Sequence, residues 1–234
     1  MKDKNLLVID SSGATLAVCV MKNKEVLASF NENTGLTHSC TLMPKIIEMI
    51  EKSKISLDDI DYYVCSNGPG SFTGLRIGIS AMKGLAHAKN KKMVAVSTLD
   101  GLMQNIEEFD GLICPIIDAR RKEVYTALYH NGEKILDDCG ISLDELFEII
   151  REKGAKKKKV IFCGDGVISY KDYIKESLGD ICFFADEKNC LQNAVSVGKA
   201  ALEKIEKGEV LHYSEFSASY LKPSQPERQQ NITV

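Results

Sequence analysis

The segment Asn67-Gly-Pro-Gly-Ser-Phe-Thr-Gly-Leu-Arg-Ile-Gly78 places glycines at 68, 70, 74 and 78 directly after an apolar run. Loops of this composition cradle phosphates when their backbone N–H groups converge. Two known patterns can be tested against it. A dinucleotide fingerprint opening at Gly68 needs glycine at 73, where Thr73 stands. A P-loop needs lysine directly after its last glycine, and Leu75 follows Gly74. Neither fits, and the segment reads as a tight strand-to-helix turn. Gly68 and Gly70 supply unusual φ, Pro69 stiffens the turn, and Ser71 or Thr73 caps the helix. Asp10 and Asp118 each end an apolar run. With Gly68 and Gly70 they are the candidates to face a nucleotide.

Other chemistry is thinly represented. The four histidines stand apart, at 38, 87, 130 and 212, and form no recognisable nucleophile or metal constellation with neighbouring residues. Eight cysteines are scattered without a Cys-x-x-Cys pair, several inside apolar runs such as Val18-Cys19-Val20. They read as small buried hydrophobes of a reducing compartment, with no zinc site. Net charge is −3, which gives no basic footprint for nucleic acid. No stretch resembles a secretory signal or a membrane span, so a soluble cytoplasmic protein is expected. The run Lys156–Lys159 reads as a solvated turn.

The elements that hold these residues repeat. Asn5–Asp10, Thr15–Val20 and Glu25–Phe30 predict a three-strand meander, followed by a helix near 38–53 with Thr37 as N-cap and Pro44 inside it. A strand at Tyr62–Ser66, a helix over 73–89, a strand at Met93–Val96 and a helix near 98–107 follow. From Gly111 the order recurs: strands at Gly111–Asp118, Glu123–Tyr129 and Lys134–Leu136, then a helix over Ser142–Lys153 with Ser142 and Glu145 in capping-box spacing. A strand at Val160–Cys163 precedes Gly164-Asp165-Gly166, and helices near 169–177 and 192–207 flank a strand at 181–184. The expected fold is therefore α/β, a duplicated ribonuclease-H-like architecture of the actin/Hsp70/sugar-kinase (ASKHA) type. The domains expected are 1–106 and 107–234, with the tail packing back on the first.

The two N-terminal helices carry more apolar circumference than one buried stripe needs. On the 73–89 helix, Arg76, Ser80, Lys83 and His87 form a polar stripe. Leu75, Ile79, Met82 and Ala86 form an apolar face, and Gly74, Gly78, Ala81, Leu85 and Ala88 a third, mostly small one. The 38–53 helix adds Met43, Ile47 and Ile50. Met43, Ile47, Ile50, Gly74, Gly78, Ala81 and Leu85 are the candidate interface. The alternative is that both helices lie deep in a sheet sandwich.

The turn segment, with Val96-Ser-Thr-Leu99 downstream, resembles the signature of the bacterial TsaB (YeaZ) family. So do Val8-Ile-Asp-Ser-Ser12, Ile117-Asp-Ala-Arg120 with Glu123-Val-Tyr125, and Tyr220-Leu-Lys222 with Glu227 and Arg228. The resemblance runs nearly end to end. It implies a non-catalytic subunit in making threonylcarbamoyladenosine beside the tRNA anticodon. Its implied partners are the TsaD transferase, the TsaE ATPase and, when alone, a second copy, with tRNA reached only through the complex. It also implies that the two helices are the dimer-forming ones. The catalytic paralogue carries two metal-binding histidines four residues apart, where this chain has His38 and Leu42. Actin-like ATPases place glycine two residues after each phosphate-facing aspartate, where this chain has Ser12 and Arg120. No cofactor, metal or catalytic residue is therefore expected. Lys222 stands where the family's tail commonly has arginine. Two rival classes remain: a phosphotransferase using Asp10 and Asp118 around Mg²⁺ and ATP, and a glycoprotease-like peptidase.

Overall fold

The computed structural model describes residues 3–33, 35, 37–153 and 159–221. The first half comprises β1 (Asn5–Asp10), β2 (Leu16–Lys22), β3 (Glu25–Glu32), α1 (His38–Ser53), β4 (Tyr62–Gly68), α2 (Phe72–Lys89), β5 (Lys92–Ser97) and α3 (Thr98–Met103). The second comprises β6 (Leu112–Asp118), β7 (Glu123–His130), β8 (Glu133–Ser142), α4 (Leu143–Lys153), β9 (Val160–Cys163), α5 (Gly166–Leu178), β10 (Cys182–Phe184), α6 (Glu187–Cys190) and α7 (Ala194–Glu206).

Two five-stranded sheets have one shared order, β3-β2-β1-β4-β5 and β8-β7-β6-β9-β10. In each the first strand is central. It pairs antiparallel with the second (Asn5↔Lys22, Leu112↔His130) and parallel with the fourth (Leu6↔Tyr62, Leu112↔Val160). This is the duplicated ribonuclease-H-like fold that the repeat of elements predicts.

A central strand is covered on both faces, so it reads as a continuous apolar run. In β1, Leu7 and Ile9 face the core beneath α1 and α2, while Leu6 and Val8 face the core beneath α7. In β6, Leu112, Cys114 and Ile116 face α4 and α5, while Ile113 and Ile117 meet Leu99 and Leu102 of α3. Six of the cysteines lie in these strands or at their ends, and Cys19, Cys65, Cys114 and Cys163 are buried free thiols.

Several boundaries differ from the sequence expectation. β8 extends from Glu133 to Ser142 because seven registered residue pairs with β7, through two irregularities, carry it past Leu136. α3 stops at Met103 rather than near 107. Thr37 is the N-cap of α1 in extended geometry, yet its side chain makes no capping bond, and its hydroxyl turns to Cys40 Sγ at 3.4 Å. α1 runs on through Pro44, which has no N–H for the Cys40 carbonyl. Ser142 behaves as anticipated and accepts the Glu145 N–H at 3.2 Å.

The chain crosses between sheets twice. α3 leaves β5 and packs on the second sheet, and from Asn193 the chain returns to the first. α7 lays Ala194, Val197, Ala201 and Ile205 against Leu6, Val8, Cys19 and Val94. A polar seam fastens the β5–α3 corner to the β7–β8 hairpin. Tyr129 donates to Asp100 at 2.7 Å, and Lys134 pairs with Asp100 at 2.8 Å and Asp138 at 2.6 Å.

Ending the chain at Gln192 leaves every strand in place and strips the back of the first sheet. At about 25 cal/mol per Å² of apolar surface, that loss exceeds the net stability of most domains. The expected outcome is loss of a cooperative thermal transition by near-UV circular dichroism. A cooperative transition at the full chain's temperature would show that α7 is dispensable.

Candidate functional site

Three elements converge at the C-terminal end of β1: the turn Ser11–Thr15, the end of β4 and the start of α2. Asp10 is 1% exposed. Its Oδ1 accepts the Ser12 N–H at 2.8 Å and the Ser12 hydroxyl at 2.6 Å, and its Oδ2 accepts the Ser66 hydroxyl at 2.8 Å. Burial pushes this carboxyl above its ordinary value, against the pull of the Ser12 and Ser66 hydrogen bonds and nearby His38. Both oxygens are thus engaged by Ser12 and Ser66.

The glycines explain how the turn fits. Ser71 N–H donates to Ser12 O at 2.6 Å, and the Ser11 hydroxyl donates to Gly74 O at 2.9 Å. A Cβ at Gly70 would fall on Ser12 O, one at Gly74 on Ser11 O, and one at Gly78 on Ser11 Oγ. Gly68, at φ +117°, lies under residue 219, whose carbonyl oxygen would sit 2.5 Å from a Cβ there. Asp10, Gly68 and Gly70, grouped by sequence as nucleotide-facing, are therefore occupied by contacts within the chain. Ser71 caps α2 by accepting the Gly74 N–H at 3.2 Å. His38 Nε2 donates to Gly13 O at 2.8 Å and ties α1 to the same turn. Leu42, one helical turn on, is 1% exposed in the core.

Asp118, the counterpart of Asp10, keeps a different environment. Its Oδ1 accepts the Arg120 N–H at 2.7 Å and the Tyr170 hydroxyl at 2.8 Å, and Ser169 approaches Oδ2 at 3.3 Å. The Arg120 guanidinium lies 3.5 Å away and is largely exposed. Arg120, Arg121 and Lys122 all have φ between 58° and 72°. Asp165 accepts the Asp118 N–H at 3.1 Å, and burial raises its carboxyl. Among the described residues no three His, Cys, Asp or Glu side chains are placed to hold a metal ion. Two clefts lie away from the turn, one beside Asp61, Asn90 and Lys92, the other beneath Asp100, Tyr129 and Lys134.

α1 and α2 pack side by side over the first sheet. Part of their outer surface is apolar. Met43 is 40% and Ile47 54% exposed. Ile50, Ile77, Ala81 and Leu85 are half-buried at the edge of the core. Gly84 and Ala88 are exposed, and nothing lies within 4 Å of a Cβ placed at Gly84. Lys45 and Lys52 clamp Glu48 at 2.8 and 2.7 Å beside this surface, holding its carboxyl down at about 2.

The sequence assignment of the small face needs correction. Gly74 and Gly78 point inward onto Ser11, because the turn approaches closer than any side chain would allow. The outward stripe is Ile77, Ala81, Gly84 and Ala88, spaced four, three and four. That spacing was present in the sequence, and Ile77 and Gly84 could have been found by it. Lys156–Lys158, Lys222, Glu227 and Arg228 lie outside the described residues, while Lys159 stands 5.5 Å from the Phe183 ring centre.

Residues 28–232 match the family model described as TsaD, tRNA N6-adenosine threonylcarbamoyltransferase. The tRNA threonylcarbamoyladenosine biosynthesis protein TsaB of Bacillus subtilis is 35% identical over 178 residues, covering 74% of this chain and 76% of that one. The chain belongs to the TsaB (YeaZ) family. The Haemophilus influenzae TsaB is 31% identical over 69% of this chain and 68% of its own. A solved Pseudomonas aeruginosa structure, described as an uncharacterized protein with similarity to peptidase YEAZ, superposes with a TM-score of 0.77 at 25% identity. That match covers 94% of this chain and 100% of that one. Component A of the Acidaminococcus fermentans (R)-2-hydroxyglutaryl-CoA dehydratase reaches 0.52 at 14% identity, over 87% of this chain and 99% of its own. That likeness bears on the fold alone. The TsaB resemblance seen in the glycine turn and the Asp-Ala-Arg segment is thus matched across most of the chain.

Two expectations follow from the turn. Asp10→Ala strands the Ser12 and Ser66 donors and is expected to cost about 2–3 kcal/mol, whereas Asp10→Asn keeps two of three acceptor contacts and costs about 1 kcal/mol. Burial holds the folded carboxyl above the ordinary carboxylate range, so folding favours its protonated form. That contribution is lost as pH rises from about 4 through the raised value. Urea midpoints measured from pH 4 to 8 should therefore show a flatter profile for Asp10→Asn than for wild type. A steeper profile would contradict the burial argument. The glycines of α2 should respond oppositely to alanine. Gly74→Ala is expected to destabilise by about 1–3 kcal/mol, and Gly84→Ala to stabilise by about 0.5–1 kcal/mol through helix propensity. Thermal melts of both variants check the contrast.

Proposed function

We propose that this protein is a non-catalytic docking subunit in the formation of threonylcarbamoyladenosine beside the tRNA anticodon. It pairs through the outer face of α1 and α2 with a TsaD transferase, works with the TsaE ATPase, and self-associates through the same face when alone. It acts in the cytoplasm, and tRNA is bound through the complex rather than by this chain. Among the described residues no helix is long and apolar enough to cross a membrane.

One observation carries the reading. Gly84 sits exposed inside a helix, where it weakens the helix, and among the described residues nothing beyond its own stretch of helix lies within 4 Å of a Cβ placed there. A glycine there lets a second helix approach closely. Met43 and Ile47 of the neighbouring α1 are exposed bulky apolar groups, and an exposed apolar patch marks a docking surface. A helix pair on a two-fold axis would make a self-complementary four-helix contact. The inward engagement of Asp10, together with Ser12 and Arg120 at the positions where actin-like ATPases have glycine, supports a role without chemistry of its own. The names of the relatives supply the pathway.

The test uses the full chain with Ile47→Asp, Gly84→Arg and Ala81→Arg. Burying an unpaired charge in a contact costs several kcal/mol. Each variant should weaken self-association and capture of the cognate TsaD protein by at least about a hundredfold. Threonylcarbamoylation of tRNA by the reconstituted proteins should fall with it, while far-UV circular dichroism stays unchanged. Folded variants that bind and support modification as wild type does would place the docking surface elsewhere.

A further inference from the structure

The stripe Arg76, Ser80, Lys83 and His87 reads from its spacing as the solvent face of α2. In the structure three of these four residues are taken by one distant segment. Arg76 Nε donates to the Tyr220 hydroxyl at 3.2 Å, and its guanidinium lies 3.8 Å over the Phe72 ring, which itself stacks on Tyr220 at 4.9 Å. Lys83 Nζ donates to the Phe216 carbonyl at 2.9 Å. The His87 ring meets Tyr213 edge-on at 4.8 Å. The contacts 87–213, 83–216 and 76–220 run in opposite directions along the two segments, so residues 211–221 form a strap laced antiparallel along α2.

The strap is anchored along its length. Leu211 exchanges two backbone hydrogen bonds with Met93 at the edge of β5, at 2.9 and 2.8 Å. Phe216 is 2% exposed in the core between the first sheet and α1 and α2. Ser219 N–H donates to Asn67 O at 2.7 Å, over the glycine turn. α2 needs such bracing, since Gly74, Gly78 and Gly84 all weaken its interior. The Ser11–Ser12 turn braces one side, α1 another and the strap a third. Of the stripe Ile77, Ala81, Gly84 and Ala88, the last two remain exposed and the first two are half-buried.

We infer that the strap is the positioning element of the docking face, and that Lys83 is a positioning residue acting through it. The inference rests on the proposal that α1 and α2 form the docking surface. A partner helix can seat against Gly84 only where α2 is already formed, and a helix formed for part of the time lowers apparent affinity by that fraction. Lys83 holds the strap by satisfying the backbone carbonyl of its buried anchor, Phe216. It therefore governs a surface that its ammonium, committed to the strap, does not present.

The test compares full-length wild type, Lys83→Met, Lys83→Arg, Tyr213→Leu and Ile47→Asp. It measures amide exchange of residues 77–88 by mass spectrometry and self-association by sedimentation. Lys83→Met keeps the stem and removes the donor. By the same fraction rule, association weakened about five- to tenfold means α2 formed only about a tenth to a fifth of the time, so amide protection across 77–88 should be nearly lost, and Lys83→Arg should restore both. Tyr213→Leu, which keeps apolar bulk at the other end of the strap, should shift both in the same direction and serves if Lys83→Met does not fold. Ile47→Asp should abolish association with α2 exchange in the monomer unchanged. Association unaffected by the strap variants while Ile47→Asp abolishes it would overturn the inference. So would association weakened by Lys83→Met with α2 exchange unchanged, because Lys83 would then act by direct contact. Association that survives Ile47→Asp would instead overturn the docking proposal itself.

Discussion

The closeness of the Ser11–Ser12 turn to the start of α2 governs much of the structure around the first sheet. Ser12 O receives the Ser71 N–H at 2.6 Å, and Ser11 reaches Gly74 O at 2.9 Å. No side chain larger than hydrogen fits at 70, 74 or 78 while that contact holds. The contact fixes the N-terminal end of α2 above β1 and β4. It also closes over Asp10, whose three donors come from Ser12 and Ser66. A buried carboxylate persists only when its oxygens are satisfied, so turn and aspartate hold each other in place.

The two halves share strand order but use their equivalent acids differently. Asp10 is sealed among serines, while Asp118 stays partly open beside Arg120, Ser169 and Tyr170. The difference begins in the loops that follow them. Ser11–Ser12 folds back on a glycine-rich helix, and Arg120–Lys122 turns outward through three consecutive left-handed residues. Duplication preserved the scaffold, and the two ends of the sheets diverged.

The same economy shapes α2. Its apolar face covers the sheet, two glycines admit the turn, and its polar stripe takes the strap. The stripe left over is apolar and mostly small, and Met43 and Ile47 are exposed on the neighbouring α1. An exposed surface that a helix weakens itself to keep small is better explained by an approaching helix than by solvent.

The sequence by itself determined the order of strands and helices along the chain, because period-two and continuous apolar runs depend on local burial and recur in both halves. It also determined the family, through the glycine turn and the Asp-Ala-Arg segment. It marked α1 and α2 as unusually apolar. Only the tertiary structure decided which face of α2 remains open. Periodicity separates polar from apolar faces without saying what covers them. The cover for Lys83 comes from Phe216, 133 residues downstream, and the cover for Gly74 from Ser11, 63 residues upstream. Contacts at that separation leave no mark in local spacing, so the stripe that looked solvated is bound, the glycines that looked free are filled, and Gly84 is the one left uncovered.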